Sequence, residues 1–294
     1  MSGTAIRSIK AHQVYTNRGL PGVEAVVTTE NGAVGRGMCT SGVSVGTHEI
    51  SFSFDGGPRF NGKGVMHAVR NVNEIIAPAL RGLDAGDQKE VDRAMLAICP
   101  DAKLRLGGNA TAAVSAAVLK AGAAALKIPL YRHIGGASAM YLPVPGVAMA
   151  AGDARYGGGV TTPGGKPTMS VMCFGFDRFA DASYACWDIH TRWAEKMKKR
   201  FGGTPNIRDF IPIPAGVFSC DREIWDEMRK TIIEAGCEGK AGFQMDVATD
   251  TYHNKQDGKY YGLFDSRPKT KDELYRFYLD VIEEYPFVII DDPF

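Results

Sequence analysis

Two aspartates, Asp246 and Asp291, carry the clearest chemical signal in this sequence. Asp246 lies in the apolar segment 242–247, and Asp291 directly follows the apolar segment 287–290. Both segments are typical of buried parallel strands, and α/β barrels place functional side chains at the carboxyl ends of such strands. Carboxylate oxygens are the ligands that hard divalent cations prefer. The pair therefore predicts a cation site, although two hydrated or hydrogen-bonded carboxylates without a metal would give the same pattern.

A second candidate is the glycine-rich segment 152–167, which invites a phosphate-binding interpretation. A phosphate-binding P-loop has two glycines separated by four residues, and the second is followed by Lys and then Ser or Thr. In this chain Lys166 is followed by Pro167, and Val160 stands at the position of the first glycine. We therefore predict that the segment is a flexible loop between barrel strands.

The remaining charged and metal-binding residue types favour structural roles. The basic run 196–200 ends a predicted helix, where cations stabilise the helix dipole. The six cysteines include no CxxC pair, so we interpret them as free thiols in a reducing compartment. His190 and His253 each stand alone, without the spacing of zinc ligands.

The first part of the chain, residues 1–140, predicts a cap domain. Short β-type segments separated by turn residues indicate a meander of three antiparallel strands at 10–15, 23–29 and 33–39. Helices with apolar residues on one face follow, so we expect an α+β cap. One of these helices should end near Ala77, because the residue before Pro78 disfavours helical backbone.

The second part, residues 141–294, predicts α/β (TIM-like) barrel construction, because helices alternate with short apolar strands. We expect barrel strands within 141–150 and at 169–174, 242–247 and 287–290, and helices at 179–201, 221–235 and 271–284. A closed barrel needs eight strands, so about four make a partial barrel. The last strand would then expose an apolar edge, and such edges are normally covered. We expect a protein partner over the edge between Phe287 and Phe294.

Composition excludes several classes of partner. The chain has 34 Lys plus Arg against 33 Asp plus Glu, a net charge of +1, which gives no reason to expect nucleic acid or a charged membrane surface. No run of about 18 apolar residues predicts a membrane span. The first ten residues lack the apolar region of a secretory signal. A soluble cytoplasmic protein is expected.

Four stretches carry a resemblance to a known family. They are SGVSVGTHE at 41–49, GKGVMHAVRNVN at 62–73, the span from LGGNA at 106–110 to PLYRH at 129–133, and LPVP at 142–145. In sequence and order they resemble enolase, the phosphopyruvate hydratase of glycolysis. The resemblance covers essentially the whole chain and implies an α+β cap followed by an enolase-type barrel.

The resemblance implies that part of a magnesium site is retained. Asp246 matches the family's first metal-binding aspartate, and Asp291 stands where the family has a glutamate in its IEDPF motif. Aspartate is one methylene shorter, which matters for a metal with strict distances. Ser44 matches the loop serine that reaches a second metal. The matching substrate loop consists of Ser41, Gly42, Ser44 and Gly46.

The resemblance also implies heavy losses among the catalytic residues. Arg155 stands where the family has its active-site histidine, and Thr168 stands where a glutamate is expected. Phe210 replaces the general-acid glutamate, and a phenyl ring has no proton to give. The resemblance implies that the family's third metal carboxylate, its base lysine and its second substrate lysine come from segments that would follow Phe294.

Three functions follow as hypotheses. The leading one is a catalytically inactive, enolase-like structural or interaction subunit of a larger assembly, with no cofactor and with a protein partner or a second copy as its contact. The alternative is an enolase-type, Mg²⁺-dependent lyase whose barrel is completed by further chain or by a partner polypeptide, with Arg155 binding an anionic substrate. A third is a regulatory module that holds a phosphorylated metabolite. The chain alone is expected not to dehydrate 2-phosphoglycerate.

Overall fold

The computed structural model describes residues 3–17, 19–42, 48–152, 154–159, 165–202 and 209–294. The chain divides into two compact units, Met1–Tyr141 and Leu142–Phe294. The first contains an antiparallel sheet with helices, and the second contains a mixed sheet with long helices.

The sheet of the first unit confirms the predicted meander. Its strands β1 (Ile6–Tyr15), β2 (Pro21–Thr29) and β3 (Val34–Thr40) pair in chain order, each antiparallel to the next. Val23, Ala25 and Val27 of β2 are fully buried because this central strand faces the helices. The three-stranded cap with helices is therefore as expected.

The helices of the first unit are α1 (Met66–Arg70), α2 (Ala77–Leu80), α3 (Gln88–Leu96), α4 (Ala102–Leu106), α5 (Gly108–Ala125) and α6 (Leu130–Gly135). The expected end near Ala77 is wrong. A π-helical turn, Asn71–Ile76, joins α1 to α2, and Pro78 lies in the first turn of α2. Proline is tolerated there because a first-turn N–H needs no partner within its own helix.

Close packing of α5 on β3 forms the centre of this unit. A Cβ added to Gly35 would lie 2.1 Å from the carbonyl oxygen of Ala117, and one added to Gly37 would lie 2.3 Å from that of Ala113. Only glycine allows the strand to approach the helix backbone this closely. The alanines of α5 complete the fit by keeping the helix surface flat.

The second unit contains β4 (Gly146–Ala151), β5 (Thr168–Cys173), β6 (Ile211–Pro212), β7 (Ala241–Asp246) and β10 (Phe287–Asp291), with a small hairpin of β8 (His253–Asn254) and β9 (Lys259–Tyr260). In the described residues the main sheet has the order β10-β7-β5-β4-β6. β5 is antiparallel to β4 and β7, whereas β10 is parallel to β7 and β6 is parallel to β4. The two-residue β6 was not predicted because it is too short to show a period.

Three long helices cover this sheet: α7 (Phe179–Phe201), α8 (Asp221–Glu234) and α9 (Lys271–Glu284). Trp193 of α7 is fully buried and donates a hydrogen bond from Nε1 to the carbonyl oxygen of Met149 at 2.8 Å. Trp225 of α8 is also fully buried, with its ring 5.2 Å from that of Phe287. Buried aromatic rings thus fix α7 and α8 to the strands.

β10 is an edge strand of the described sheet. It pairs with β7 on one side, and its other side has no strand partner among the described residues. Val288 is 48% exposed and Ile289 is 43% exposed. The expectation that this strand is buried on both faces is therefore wrong for these two residues, because the sheet does not close around them.

The described residues contain no single helix that is long and apolar enough to cross a membrane. α5 and the segment Leu130–Ser138 meet the length and composition criteria together, but they are bent by 101° at their junction. Most of α5 is buried against the cap sheet.

Candidate active site

The register of the sheet places three of the sequence-predicted residues in one row. Thr168 pairs with Asp246 between β5 and β7, and Asp246 pairs with Asp291 between β7 and β10. Because β5 runs antiparallel to its neighbours, its first residue lies beside their last ones. Thr168, Asp246 and Asp291 therefore share the carboxyl-terminal edge of the parallel strands, where barrel enzymes build their sites.

Asp246 is the centre of this row. Its Oδ2 forms an ion pair with the ammonium group of Lys166, and the two side chains are 26% and 20% exposed. Its Oδ1 is buried and has no hydrogen-bond partner among the residues that the structure describes. A buried carboxylate oxygen without a partner is costly, so this atom is available to a cation or a donor.

Lys166 is held from its backbone as well as from its side chain. Its carbonyl oxygen accepts a hydrogen bond from the hydroxyl of Tyr252, a residue that is nearly fully buried. Burial lowers the pKa of Lys166 below its ordinary value, and the nearby charges of Asp292 and Asp291 offset only part of that shift. The site therefore contains a lysine at the centre of an acidic edge.

Backbone hydrogen bonds fix the two acidic strand ends to each other. The N–H of Val247 donates to the carbonyl oxygen of Asp291 at 3.0 Å. The hydroxyl of Thr249 donates to the carbonyl oxygen of Asp292 at 2.6 Å, where the chain takes a left-handed turn with φ 49°. These hydrogen bonds hold the backbone of both strands in place at Asp246 and Asp291.

The lyase hypothesis expected the guanidinium group of Arg155 to bind an anionic substrate. In the structure this group is already paired with a carboxylate. Its Nη2 donates to Oδ1 and Oδ2 of Asp221 at 2.9 and 2.8 Å, and both side chains are buried. The hydroxyl of Tyr156 donates to the same carboxylate at 2.7 Å. The expected role of Arg155 in substrate binding is corrected to a buried structural pair, because Asp221 at the start of α8 takes up its charge.

The segment that carries Arg155 is packed closely against the chain near Tyr261. A Cβ on Gly158 would lie 1.6 Å from the carbonyl oxygen of Tyr261, so only glycine fits there. Burial, with the neighbouring Asp221 carboxylate, raises the pKa of Tyr156, which stays a neutral donor to Asp221. This part of the predicted flexible loop, residues 154–159, is therefore anchored; residues 153 and 160–164 lie outside the described part of the chain.

The other predicted site residues are spread more widely. Phe210 is half-buried and directly precedes β6. Ser41 and Gly42 follow β3 in the first unit, and Ser44 and Gly46 lie outside the described residues. In the part of the chain that the structure describes, no group of three His, Cys, Asp or Glu side chains could hold a metal. Asp246 and Asp291 would thus supply only part of a ligand set.

Sequence reasoning missed Lys166, Tyr252 and Asp221. Lys166 was considered only as part of a failed P-loop match, yet it lies two residues before β5 and so near the site edge. Its partner Asp246 is 80 residues away in sequence. Asp221 could have been noticed as an acidic residue at the start of a helix, but nothing local links it to Arg155.

Both units of the chain match family models of one protein family. Residues 6–134 match the model of the enolase N-terminal domain, and residues 139–294 match that of the enolase C-terminal TIM barrel domain. The chain belongs to the enolase family. The resemblance and the fold inferred from sequence, a cap followed by a TIM-type barrel domain, are confirmed, and the described sheet of the barrel domain is not closed.

Individual enolases support the same membership. The chain is 37% identical to the enolase of Methanopyrus kandleri over 297 residues, which covers 98% of this chain and 67% of that protein. It is 35% identical to the enolase of Methanococcus aeolicus over 293 residues, covering 98% of this chain and 66% of that protein. The chain therefore spans about two thirds of the length of these enolases.

Proposed function

We propose that this chain is part of an enolase-type lyase, similar to phosphopyruvate hydratase and dependent on Mg²⁺. The observation that carries the proposal is the pairing of Asp246 with Asp291 at the carboxyl-terminal edge of β7 and β10. Two carboxylates that share this edge are suited to a hard cation. The names of the related proteins favour this function over that of an inactive subunit.

The residues at this edge fit a magnesium ion in part. Oδ1 of Asp246 is buried and has no partner in the described part of the chain, so it can serve as a ligand, and Asp291 offers a second carboxylate. Mg²⁺ often binds through one or two carboxylates and completes its shell with water and substrate oxygens. When bound, the ion would stabilise the negative charge that develops on a substrate carboxylate as its α-proton leaves.

We infer that the barrel is completed by strands from further chain or from a partner polypeptide. Val288 and Ile289 of β10 are exposed, and α9 exposes Tyr275, Leu279 and Ile282. The three α9 residues are spaced by four and three positions, so they form one stripe along the helix. An apolar stripe on the helix that precedes β10, together with the edge of β10 that is unpaired in the described sheet, is the kind of surface that a further strand and helix would cover.

The proposed lyase needs groups that these residues do not provide. Thr168 and Phe210 stand where the family carries carboxyl groups, and neither can act as an acid at neutral pH. We propose that the base and acid come with the remaining barrel strands. The chain alone is then expected to leave 2-phosphoglycerate unchanged, and the assembly is expected to dehydrate it.

A second candidate is a non-catalytic interaction subunit. It is favoured by Arg155, whose guanidinium is paired with Asp221 away from solvent instead of being free for an anion. In this case the exposed stripe on α9 would still bind a partner, but without turnover. Asp246 and Asp291 would then be retained carboxylates with a structural role.

The test uses the assembly purified from the source cells through a tag on this chain. With Mg²⁺ and 2-phosphoglycerate, formation of the enol product is followed by its ultraviolet absorbance. We expect turnover that falls at least about a hundredfold for Asp246→Asn. The exposed neighbour Asp250→Asn should leave the rate unchanged. An assembly that keeps its partner but shows no turnover would support the interaction subunit instead.

A further inference from the structure

We propose that Lys166 is a tethered cation that competes with divalent metal for Asp246, so that metal binds only when the lysine side chain leaves. The inference rests on the proposed function, because it concerns the same carboxylate edge. It goes further by naming a residue of this chain that sets the metal affinity.

The first step is the position of the charge. The ammonium group of Lys166 is in contact with Oδ2 of Asp246, one of the two oxygens that this aspartate could offer to a metal. A divalent ion on Oδ1 would then lie within a few ångströms of a fixed positive charge. Repulsion at this distance is strong for partly buried charges, so lysine and metal exclude each other.

The second step is the way in which the lysine is held. Tyr252 donates its hydroxyl proton to the backbone carbonyl of Lys166, so this bond holds the backbone, while the ion pair with Asp246 holds the side chain. The Tyr252 ring is itself confined, because a Cβ on Gly159 would lie 2.8 Å from it. The backbone of Lys166 can therefore stay in place while its flexible side chain moves.

The third step is the route by which the side chain leaves. The Lys166 side chain is 20% exposed, so its ammonium group can reach water by a change of rotamer without unfolding of β5. Hydration of the released ammonium group would offset most of the free energy of the lost ion pair, because an ion pair with this much exposure is only moderately stabilising. A divalent cation at sufficient concentration can thus replace the lysine.

The first experiment measures binding of Mn²⁺, as a spectroscopic substitute for Mg²⁺, by electron paramagnetic resonance on the purified chain. We expect weak binding to the unmodified chain and binding at least about tenfold tighter for Lys166→Met. Lys166→Arg keeps the cation and should bind as weakly as the unmodified chain. Lys120→Met, which removes an exposed lysine from the cap domain, is the matched control and should change nothing.

Two results overturn the inference, and they differ in their meaning for the proposed function. Equal Mn²⁺ affinity in the unmodified chain and Lys166→Met, with loss of binding in Asp246→Asn, removes the competition but leaves the metal site. Absence of binding in every variant removes both the competition and the metal part of the proposed function.

A second experiment needs no variant at position 166. The chain is treated briefly with an amine-acetylating reagent at rising Mg²⁺ concentration, and labelled lysines are quantified by mass spectrometry. Labelling of Lys166 should rise severalfold on metal binding, because the displaced amine enters solvent, while labelling of Lys120 stays constant. Constant labelling of Lys166 at Mg²⁺ concentrations that saturate the site contradicts the inference.

Discussion

Arg155 and Asp221 form a buried ion pair between the segment after β4 and the first turn of α8. Two hydrogen bonds of 2.9 and 2.8 Å join Nη2 to the carboxylate, and the side chains are 3% and 0% exposed. Within the described ranges of the chain, Nε and Nη1 of the same guanidinium have no hydrogen-bond partner. The resemblance to enolase predicts Arg155 at the position of the family's histidine, and in the structure this side chain packs inside the barrel domain.

The first prediction follows from this pair. Arg155→Met should lower the free energy of unfolding by about 3–5 kcal/mol, because it leaves the Asp221 carboxylate buried without a countercharge. Urea denaturation measures the change. Arg192→Met, which breaks the exposed pair with Asp188, is the control and should cost at most about 1 kcal/mol. Similar decreases in the free energy of unfolding for the two variants would show that the buried ion pair stabilises the fold no more than the exposed one.

The double variant Arg155→Met with Asp221→Leu sharpens this prediction. Removing both charges leaves no uncompensated ion, so the double variant should be more stable than Arg155→Met alone. Together with the single variant Asp221→Leu, these proteins form a double-mutant cycle, in which the interaction energy is the departure from additivity. Additive losses would mean that the two side chains act independently.

The second prediction concerns the contact between β3 and α5. Gly37→Ala places a methyl group 2.3 Å from the carbonyl oxygen of Ala113, so strand and helix must separate. We expect a loss of about 1–3 kcal/mol or more in the free energy of unfolding. Gly3→Ala is the control, since its added Cβ would lie 3.4 Å from Asn31 in ordinary contact. Equal stability of both variants would refute close packing at Gly37.

The fold could be predicted where local signals were strong. The predicted helix 179–201 matches α7, because Gly202 in the left-handed region with φ 73° ends it. The predicted helix 271–284 matches α9, where Thr270 and Glu273 form a capping box. The predicted helix end near Ala77 was wrong because a π-helical turn before Pro78 places this proline in the first turn of α2. No residue pattern in the sequence predicts such a turn.

Only the site residues that lie on strands could be predicted from the sequence. Asp246 and Asp291 could be recognised because each lies at the end of a segment typical of a buried strand, whereas their lateral pairing is known only from the structure. The partners that define the environment could not be found this way. Lys166 reaches Asp246 from a loop 80 residues earlier, and Arg155 meets Asp221 across 66 residues. Such pairings depend on the path of loops, which hydrophobic periodicity does not encode.

The third prediction uses the pH dependence of the cap domain. Asp55 accepts hydrogen bonds from the backbone N–H groups of Met66 at 2.9 Å and His67 at 2.7 Å. Slight burial acts to raise the pKa of Asp55, but these amide bonds and the charges of His67 and Arg70 outweigh it, so the net shift is downward. A lowered pKa means that the charged carboxylate stabilises the folded state above the unfolded pKa of about 3.9.

Asp55→Asn should therefore cost about 1 kcal/mol at neutral pH, because the amide keeps one acceptor oxygen but loses the second acceptor and the charge. The difference from the unmodified chain should shrink as the pH falls below about 4 and the native carboxylate is protonated. Thermal unfolding between neutral and acid pH measures it. The exposed Asp177→Asn is the control and should show no such trend. A cost that stays constant down to acid pH would contradict the role of the charge.

The last prediction concerns the exposed stripe of Tyr275, Leu279 and Ile282 on α9. Leu279→Asp should leave the isolated chain folded, because Leu279 is 46% exposed and lies outside the core. It should weaken assembly with the strands or partner that complete the barrel, because burying an unpaired carboxylate costs several kcal/mol. Native mass spectrometry of complexes purified through a tag on this chain measures the bound fraction.

Leu104→Asp provides the matched control for this substitution. Leu104 is 56% exposed on α4 of the cap domain, so the same change in charge and shape falls on another unit. If the stripe on α9 is the assembly surface, only the Leu279 variant loses its partner, and catalytic turnover is lost with it. Loss of the partner from both variants would point to a nonspecific effect of charge. Retention in both would mean that the barrel is completed elsewhere than along α9, and the open edge of β10 would then need a different explanation.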